Sequence, residues 1–406
     1  MDTKQESLSL HREWAGKIEV TSRVPVGNSH DLSVAYTPGV AEPCREIHAD
    51  PGLVDVYTRR WNQVAVVSDG SAVLGLGNIG ARAALPVMEG KAVLFKAFAG
   101  VDAFPICLDT QDVEEIIRTV ELLVPTFGGV NLEDISAPRC FEIERRLKES
   151  TDIPIFHDDQ HGTAVVVLSG IINACRLTGR ELGDLHVVVN GAGAAGIACA
   201  KLMLDVGVTD LIMCDSKGVI CPDREDLNPI KQEMLTRTNK NHKCGTLADA
   251  MVGANLFLGV SVKDAVTQRM ISSMEKDPII FAMANPDPEI DPALAKEVGA
   301  AVVGTGRSDF HNQVNNVLGF PGIFRGALDV KATHVNESMK IAAAHALADL
   351  VGDRLSPEYV IPEAFDLHIA PEVAAAVAQA AVDSGVAGDP KSAEWVRKHT
   401  RSFIEK

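Results

Sequence analysis

Two pairs of adjacent acidic residues suggest chemistry in this sequence. The first pair is Glu133 and Asp134, and the second is Asp158 and Asp159. Each pair follows a short apolar run of the kind that forms a strand, so each is expected near a strand end. Carboxylate oxygens gathered at one place are the ligands that hard divalent cations prefer. The two pairs therefore predict a cation site built at the ends of two strands.

A glycine-rich segment follows these pairs in the chain. Residues 187–196 read Val-Val-Val-Asn-Gly-Ala-Gly-Ala-Ala-Gly, between an apolar run and a helix-like stretch of small residues. The first glycine permits a tight turn, the second lets the backbone approach a pyrophosphate, and the third allows close helix–strand packing. The N–H groups that open the helix would bind the phosphates. The segment therefore predicts dinucleotide binding by Gly191, Ala192, Gly193, Ala194, Ala195 and Gly196. A cation beside a dinucleotide indicates metal-assisted redox chemistry on a small, oxygen-rich substrate.

The identity of the coenzyme depends on the residues after the next predicted strand. Asp215 would accept hydrogen bonds from the adenosine ribose, which favours NAD. Lys217 follows two residues later and could bind the 2′-phosphate of NADP, although a solvated loop lysine is the simpler interpretation. The sequence therefore leaves NAD and NADP open, with a slight preference for NAD.

Two residues of the first half are candidates for proton transfer. Tyr36 is one of only 3 tyrosines and lies in a turn-like segment. Lys91 precedes the apolar run 92–95, and a partly buried lysine can have a lowered pKa and act as a base. Most lysines are solvated, and Lys96 is a nearby alternative. Neither Tyr36 nor Lys91 alone establishes a catalytic role.

Asparagines mark two further positions. Asn285 closes the apolar run 279–284, and ligands bind outside the carboxyl ends of strands in a doubly wound sheet. Asn285 is therefore well placed for substrate or nicotinamide, although a turn before Pro286 explains it equally well. Asn315 and Asn316 form a second candidate position, in a segment that ends at a glycine.

The order of elements predicts an α/β protein with two domains. Strands are predicted at 64–68, 186–189, 211–214, 256–260, 279–284 and 301–303, and a buried helix at 162–176. After residue 185 the strands alternate with helical segments, which is typical of a doubly wound parallel sheet. We expect an N-terminal α/β domain for substrate and metal over residues 1–160, a Rossmann-type dinucleotide domain over 161–385, and a helical tail over 386–406.

Composition limits the class of protein. The chain has 406 residues, which is comfortable for two domains. The formal net charge of −17 argues against a nucleic-acid partner. The 8 cysteines include no Cys-x-x-Cys motif and are expected to be reduced core thiols of a cytoplasmic protein. The N-terminus lacks the apolar core of a signal peptide, and no apolar stretch is long enough to predict a membrane span.

Seven motifs in order give the chain a family resemblance. They are Tyr-Thr-Pro-Gly-Val-Ala from Tyr36, Ser-Asp-Gly-Ser-Ala-Val-Leu-Gly-Leu-Gly-Asn-Ile-Gly from Ser68, Glu-Gly-Lys-Ala from Glu89, Asn-Leu-Glu-Asp-Ile from Asn131, Phe-His-Asp-Asp-Gln-His-Gly-Thr-Ala from Phe156, the glycine segment, and Asn-Asn-Val-Leu-Gly-Phe-Pro-Gly from Asn315. In this set the chain resembles the malic enzymes of the short bacterial type, from about Tyr36 to Gly326.

The resemblance implies an activity and a set of roles. The expected reaction is oxidative decarboxylation of (S)-malate to pyruvate and CO₂, with reduction of NAD or NADP and with Mg²⁺ or Mn²⁺. The expected assembly is a homodimer or a higher homo-oligomer. The resemblance implies that Tyr36 is the general acid and Lys91 the general base, that Glu133, Asp134 and Asp159 bind the metal with Asp158 beside them, and that Asn285 and Asn315 bind substrate.

One departure from the family pattern concerns the substrate carboxylate. Larger eukaryotic members carry an arginine after the Asp-Gly of the glycine-rich stretch, whereas this chain has Ser71 and Ala72 after Gly70. Ser71 or backbone N–H groups are therefore expected to hold the carboxylate instead.

Two alternative functions are weighed against this one. A malolactic conversion of malate to lactate, with the nicotinamide retained, differs in releasing no net reduced coenzyme. His157 and His161 are four residues apart, as zinc ligands on one helix would be. Pro154 and the apolar run before His157 indicate a strand end instead, which argues against a zinc hydrolase. A catalytically silent nucleotide-binding protein would not need Tyr36, Lys91 and the acidic pairs together.

Overall fold

A computed structural model of the protein describes residues 3–73 and 75–405. Its first part, up to the third strand, contains α1 (Thr3–Trp14), α2 (Ser29–Ala35), α3 (Ala41–Ala49), α4 (Val54–Tyr57), β1 (Gln63–Ser68), α5 (Ala81–Ala99), β2 (Asp102–Cys107), α6 (Val113–Leu123) and β3 (Gly129–Leu132). The middle part contains α7 (Arg139–Ser150), β4 (Ile155–His157), α8 (Asp158–Thr178), β5 (His186–Asn190), α9 (Ala194–Asp205), β6 (Asp210–Asp215), β7 (Gly218–Val219), α10 (Pro229–Leu235) and α11 (Leu247–Met251).

The last part of the chain completes the second sheet and adds four long helices. It contains β8 (Leu256–Gly259), α12 (Gln268–Ser272), β9 (Ile279–Ala282), α13 (Pro292–Glu297), β10 (Val302–Thr305), α14 (Phe320–Asp329), α15 (Glu337–Asp349), α16 (Ile369–Asp383) and α17 (Ala393–Ile404). No helix within the two described ranges combines the length and apolarity that a membrane span requires.

The first sheet is entirely parallel, with strand order β2-β1-β3-β4. Side chains of β1 alternate between two layers, because successive residues of a strand point to opposite faces. Val64 and Val66 join the core that contains α5, whereas Ala65 and Val67 pack with α6 and α7. Both faces are therefore covered, and the carboxyl ends of β1, β3 and β4 meet at one edge.

The second sheet has strand order β10-β9-β8-β5-β6-β7, and only the short β7 is antiparallel. The chain order reverses between β5 and β8, which opens the crevice where ligands bind in such sheets. The predicted α/β class with a doubly wound parallel sheet is confirmed. The predicted strands are present, with ends that differ by one or two residues.

The C-terminal helices return to the first sheet. Phe95 of α5 meets the rings of Phe320 and Phe324 of α14 edge-on, at centroid distances of 4.7 and 5.2 Å. Helix α17 packs against α5, α14 and α16. One cluster of buried side chains therefore includes residues of both sheets. The domain limits expected from sequence remain a prediction.

Two local expectations were wrong. Helix α8 begins at Asp158 rather than at residue 162, because acidic side chains are favourable in the first turn of a helix. Lys91 and the apolar run after it lie in the middle of α5. Not all cysteines are reduced core thiols, since Cys221 and Cys244 form a disulfide with a Cα–Cα distance of 5.6 Å. Their separation of 23 residues matches no short motif. Of the others, Cys44 is exposed, Cys107 is half-buried, and four are buried, namely Cys140, Cys175, Cys199 and Cys214.

Candidate active site

Three carboxylates meet at the carboxyl edge of the first sheet. Glu133 and Asp134 directly follow β3, and Asp159 lies in the first turn of α8, directly after β4. One oxygen from each of the three lies within 4.8 Å of the other two. Within residues 3–73 and 75–405, no other group of three or more acidic, histidine or cysteine side chains could hold a metal ion in this way. Asp134 has a φ of 54°, and its N–H donates to Asp159 Oδ2 at 2.8 Å. The structure thus brings together the three residues that the family resemblance implies as metal ligands.

The electrostatics of this group fit a divalent cation. Burial raises the pKa of Glu133, Asp134 and Asp159, and their mutual repulsion raises it further. The buried Asp134 Oδ2 has no hydrogen-bond partner, which is costly for a buried acceptor. A cation would bind this oxygen and offset the repulsion. An oxygen-only ligand set suits Mg²⁺ or Mn²⁺.

Lys91 lies against this group, inside α5. Its Nζ is 2.9 Å from Glu133 Oε1 and 2.5 Å from Asp158 Oδ2. The ammonium also lies over the Phe320 ring, 4.3 Å from its centroid. Burial alone would lower the pKa of Lys91, but the carboxylates of Asp158 and Glu133 raise it above its usual value. The lowered pKa expected for a partly buried lysine is therefore wrong for this state of the site, because two anions lie beside the amine.

Asp158 connects Lys91 to the end of the second sheet. Its Oδ2 also accepts a hydrogen bond from Asn316 Nδ2 at 3.1 Å, and Thr163 Oγ1 donates to Asn316 Oδ1 at 2.9 Å. Asn315, the residue predicted to bind substrate, instead accepts from the Val317 N–H and caps a 3₁₀ turn. Sequence reasoning placed both asparagines in one motif but had no signal for which of the two contacts Asp158.

Ser71 does not have a free hydroxyl for the substrate carboxylate. Its Oγ donates to Asp69 Oδ1 at 2.5 Å, and it accepts from the Ser136 N–H and from Arg139 Nη2, each at 2.9 Å. Arg139 Nη1 also pairs with Asp69 Oδ2 at 2.8 Å. The expectation for the Ser71 side chain therefore has no support in the structure. Arg139, which sequence reasoning missed, holds this loop from 68 residues away.

Tyr36 lies away from these residues at the surface. It follows α2 as the C-cap residue, and 67 % of it is exposed. In the described part of this chain, no hydrogen bond joins the Tyr36 hydroxyl to Lys91 or to the carboxylate group. Tyr36 is therefore an exposed residue of the single chain, without a hydrogen bond to the predicted base.

The glycine segment forms a sharp turn between β5 and α9. A Cβ at Gly191 would lie 2.5 Å from Val260 O, and one at Gly196 would lie 1.9 Å from Gly191 O. A Cβ at Gly193 would meet no atom within 4 Å, and no side chain caps the helix there. Backbone N–H groups at the start of α9 are therefore accessible, as phosphate binding requires. Asn285 follows β9 at the same edge and is exposed.

The carboxylate of Asp215, at the end of β6, already contacts two positively charged side chains. Arg224 donates to its Oδ1 and Oδ2 at 2.7 and 3.0 Å, and Lys231 Nζ lies 2.6 Å from Oδ2. Burial would raise the pKa of Asp215, but the hydrogen bonds from Arg224 and Lys231 lower it to about 2. Lys217 Nζ pairs instead with Asp226 at 2.7 Å. Neither Arg224 nor Lys231 was singled out from the sequence.

The two histidines of the zinc alternative do not share a helical face. His157 is the last residue of β4, as the preceding apolar run indicated, and it is fully buried. His161 lies in α8, with Nε2 at 2.8 and 2.9 Å from the two oxygens of Glu144. His161 Nδ1 contacts Lys340 Nζ at 3.2 Å, so both ring nitrogens that could bind zinc already have partners.

Comparison with known proteins adds independent findings. A family model described as the malic enzyme N-terminal domain matches residues 15–148, and one described as the malic enzyme NAD binding domain matches residues 160–382. The bifunctional malic/malolactic enzyme of Bacillus subtilis (strain 168) is 61 % identical over 405 residues, with 99 % of each chain covered. The NAD-dependent malic enzyme of Geobacillus stearothermophilus is 56 % identical, with 92 % of this chain and 78 % of the relative covered. The crystal structure of malic enzyme from Pyrococcus horikoshii superimposes with a TM-score of 0.94 at 44 % identity, covering 99 % of this chain and 96 % of that chain.

Proposed function

Because this chain belongs to the malic enzyme family, we propose that the site around Lys91 carries out the family's reaction with the residues named above. The reaction is oxidative decarboxylation of (S)-malate to pyruvate and CO₂ with reduction of NAD or NADP. The observation that supports this assignment most directly is the position of Lys91 between Asp158 and the carboxylate group. A malate molecule bound at Glu133, Asp134 and Asp159 would place its C2 hydroxyl beside Lys91. Among the described lysines, Lys91 is the one that contacts this carboxylate group.

Proton transfer is assigned to Lys91 and Tyr36. Lys91 must be neutral to act as a base, and Asp158 Oδ2, 2.5 Å away, holds its amine in position. Lys91 then removes the proton of the C2 hydroxyl. Glu133, Asp134 and Asp159 would hold a divalent cation, which would polarise the C2 oxygen, and the glycine segment 191–196 would hold the coenzyme, which would accept the hydride of C2. After CO₂ leaves, the phenol of Tyr36 gives its proton to C3.

This assignment requires Tyr36 to come from a second copy of the chain. Helices α1 to α4 contain no buried residue in one chain. Exposed apolar side chains are concentrated there, namely Leu8, Trp14, Ile18, Val20, Val24, Val26, Leu32, Val34, Val40, Val56 and Tyr57. Such a surface is typical of a homodimer interface. In a homodimer, this segment would cover the partner's site and bring Tyr36 to it.

The base is tested with substitutions on one helix. Lys91→Met and Lys91→Arg should reduce malate-dependent formation of NADH or NADPH in the presence of Mn²⁺ by about two to four powers of ten, the usual effect of losing a general base. The arginine variant keeps a positive charge beside Asp158, so its loss of activity would not come from a collapsed charge cluster. Lys96→Met is the matched control, because Lys96 is an exposed residue of the same helix. Near-parental activity of both Lys91 variants would contradict the assignment.

Mixing two inactive variants tests the homodimer. A Tyr36→Phe subunit keeps Lys91, and a Lys91→Met subunit keeps Tyr36. If Tyr36 acts across the interface, each mixed dimer regains one intact site, so random exchange should restore about a quarter of the parental activity. Tyr36 acting within its own chain would leave the mixture inactive. A monomeric enzyme by sedimentation would also contradict the proposal.

A second activity is favoured by one comparison. The Bacillus subtilis relative is named for both a malic and a malolactic activity. The two reactions differ in products, since a malolactic conversion forms lactate without net release of reduced coenzyme. Assay of lactate and of NADH or NADPH on the same malate sample decides between them. Lactate formed in excess of released coenzyme would establish the second activity.

A further inference from the structure

A charged cluster at the end of β6 is not used by the reaction steps above. Arg224 contacts the carboxylates of both Asp215 and Asp226. Its Nε lies 2.9 Å from Asp226 Oδ1, and its Nη2 lies 2.8 Å from Asp226 Oδ2. Lys231 joins Asp215 and Lys217 joins Asp226. Three cations therefore surround two carboxylates, which leaves the cluster with an excess of positive charge.

The contacts of Asp215 with Arg224 and Lys231 affect which coenzyme the end of β6 can bind. A carboxylate at the end of the second strand of such a sheet accepts the ribose hydroxyls of NAD, which requires free oxygens. Both oxygens of Asp215 are engaged by Arg224 and Lys231, and the N–H of Lys217 donates to Oδ1 as well. A guanidinium at the same place binds a phosphate group well, because its N–H groups match two phosphate oxygens. Nε and Nη2 of Arg224 donate to Asp226, an exposed residue, so a phosphate would bind Arg224 by displacing the Asp226 carboxylate.

The disulfide fixes the segment that carries Arg224. Arg224 follows Cys221 by three residues, and its N–H donates to Cys221 O at 3.2 Å. Across the link, Gly245 O, next to Cys244, accepts from the Val219 N–H at 2.9 Å. Residues 222, 223, 225 and 226 between these anchors are exposed. The Cys221–Cys244 bond is therefore a covalent anchor for a turn that is otherwise mostly exposed.

The two cysteines of the disulfide differ in exposure. Cys221 is 3 % exposed, whereas Cys244 is exposed. A dithiol reductant can therefore attack Cys244 Sγ, with Cys221 as the leaving thiolate. The dithiol loses two electrons and two protons and closes to its own disulfide, while the protein gains two thiols.

We propose that Arg224, held in place by the Cys221–Cys244 bond, reads the 2′ position of the adenosine ribose and makes NADP the preferred coenzyme, and that reduction of this bond weakens the preference. This inference rests on the proposed function, since it concerns the coenzyme of that reaction. Lys231 adds charge beside Arg224. Lys217 contributes less, because its side chain is 66 % exposed and pairs with Asp226.

Ligand binding tests the role of Arg224 without turnover. The probes are adenosine 2′,5′-bisphosphate and adenosine 5′-monophosphate, measured by calorimetry with the full-length protein. Arg224→Gln should weaken binding of the bisphosphate by about tenfold or more and change that of the monophosphate little, as expected for the loss of a charge-assisted pair of hydrogen bonds. Arg237→Gln is the matched control, since Arg237 is an exposed arginine paired with Asp205 in the same domain. Equal losses for both probes, or none, would overturn the role of Arg224.

Redox state tests the role of the disulfide. The ratio of kcat/KM for NADP to that for NAD is measured for air-oxidised protein, for protein treated with dithiothreitol, and for Cys244→Ser, which breaks the bond without a reductant. The ratio should fall about threefold or more in both latter cases, with Cys44→Ser as a control at an exposed free cysteine. Thiol counting by mass must show two additional thiols after reduction. An unchanged ratio, or eight free thiols instead of six in the oxidised sample, would overturn this part of the inference. Failure of the proposed function would look different, because neither coenzyme would then be reduced with malate.

Discussion

Gly193→Ala should separate coenzyme binding from folding. The φ of Gly193 is −90°, which any residue adopts, and a Cβ there would meet no atom within 4 Å. The substitution should therefore leave the thermal midpoint nearly unchanged. Gly196→Ala is the contrasting variant, since its Cβ would lie 1.9 Å from Gly191 O. That overlap involves rigid backbone, so relief requires α9 to shift and should cost about 1–3 kcal/mol or more.

The loss of coenzyme affinity for Gly193→Ala can be estimated from the contacts that a methyl group would block. Hydrogen bonds to a charged group contribute roughly 1.5–3 kcal/mol each. Loss of one such bond between a backbone N–H of α9 and the pyrophosphate would weaken binding about tenfold to a hundredfold. The same factor should appear for NAD and NADP, because both carry the pyrophosphate.

The assay is quenching of intrinsic fluorescence by the reduced coenzyme, combined with a thermal melt. Gly183→Ala is the matched control, since a Cβ at Gly183 lies at an ordinary 3.7 Å from Gly207 O and the residue is remote from the glycine turn. Parental coenzyme affinity of Gly193→Ala, at an unchanged melting temperature, would refute the idea that the pyrophosphate approaches this glycine.

Two further predictions follow from the buried charges. Because burial and repulsion from neighbouring carboxylates raise the pKa of Asp134 and Asp159, these two groups take up protons near neutral pH, and cation binding must release them. The affinity for Mn²⁺ should therefore rise with pH through the neutral range, with proton release seen by calorimetry in buffers of different ionisation enthalpy; a pH-independent affinity would contradict the raised pKa values. Arg325→Met should lower the free energy of unfolding by about 3–5 kcal/mol, because it leaves the buried Asp329 without its arginine partner. Arg118→Met, at an exposed ion pair, should change it by less than about 1 kcal/mol, and denaturant titration compares the two; similar losses would show that burial of the pair is not decisive.

The sequence predicted the parts of the site that depend on strand ends. Apolar runs identify parallel strands, and their carboxyl ends meet at one edge, so the positions of the acidic pairs and of the glycine turn followed from local pattern. Arg139 and Arg224 were not singled out, and Asn316 was not distinguished from Asn315, because each of the three makes a contact that depends on how separate segments pack. Thr163 and Asn316, for example, are 153 residues apart and share a hydrogen bond.

Local pattern left the apolar run after Lys91 without an assigned element. A short apolar run fits a strand or a buried helix, and Lys91 belongs to the 19-residue helix α5, in which apolar residues recur on the buried face. The disulfide could not be predicted, since no short spacing connects Cys221 and Cys244 and the antiparallel β7 brings the two segments together. Tyr36 could be assigned a role by resemblance, but its position depends on a second chain, which no single sequence describes.

The core shared by the two sheets has a consequence for how the protein unfolds and for how it could be re-engineered. Phe95 belongs to the first half of the chain, whereas Phe320 and Phe324, which cover it, come after the entire second sheet. A fragment ending near residue 160 would expose that apolar face, and a fragment beginning there would lack its counterpart. Unfolding should therefore be a single cooperative transition, although two family models describe the chain. Exchange of the coenzyme domain with that of another protein must include the terminal helices together with the face of α5 on which they rest.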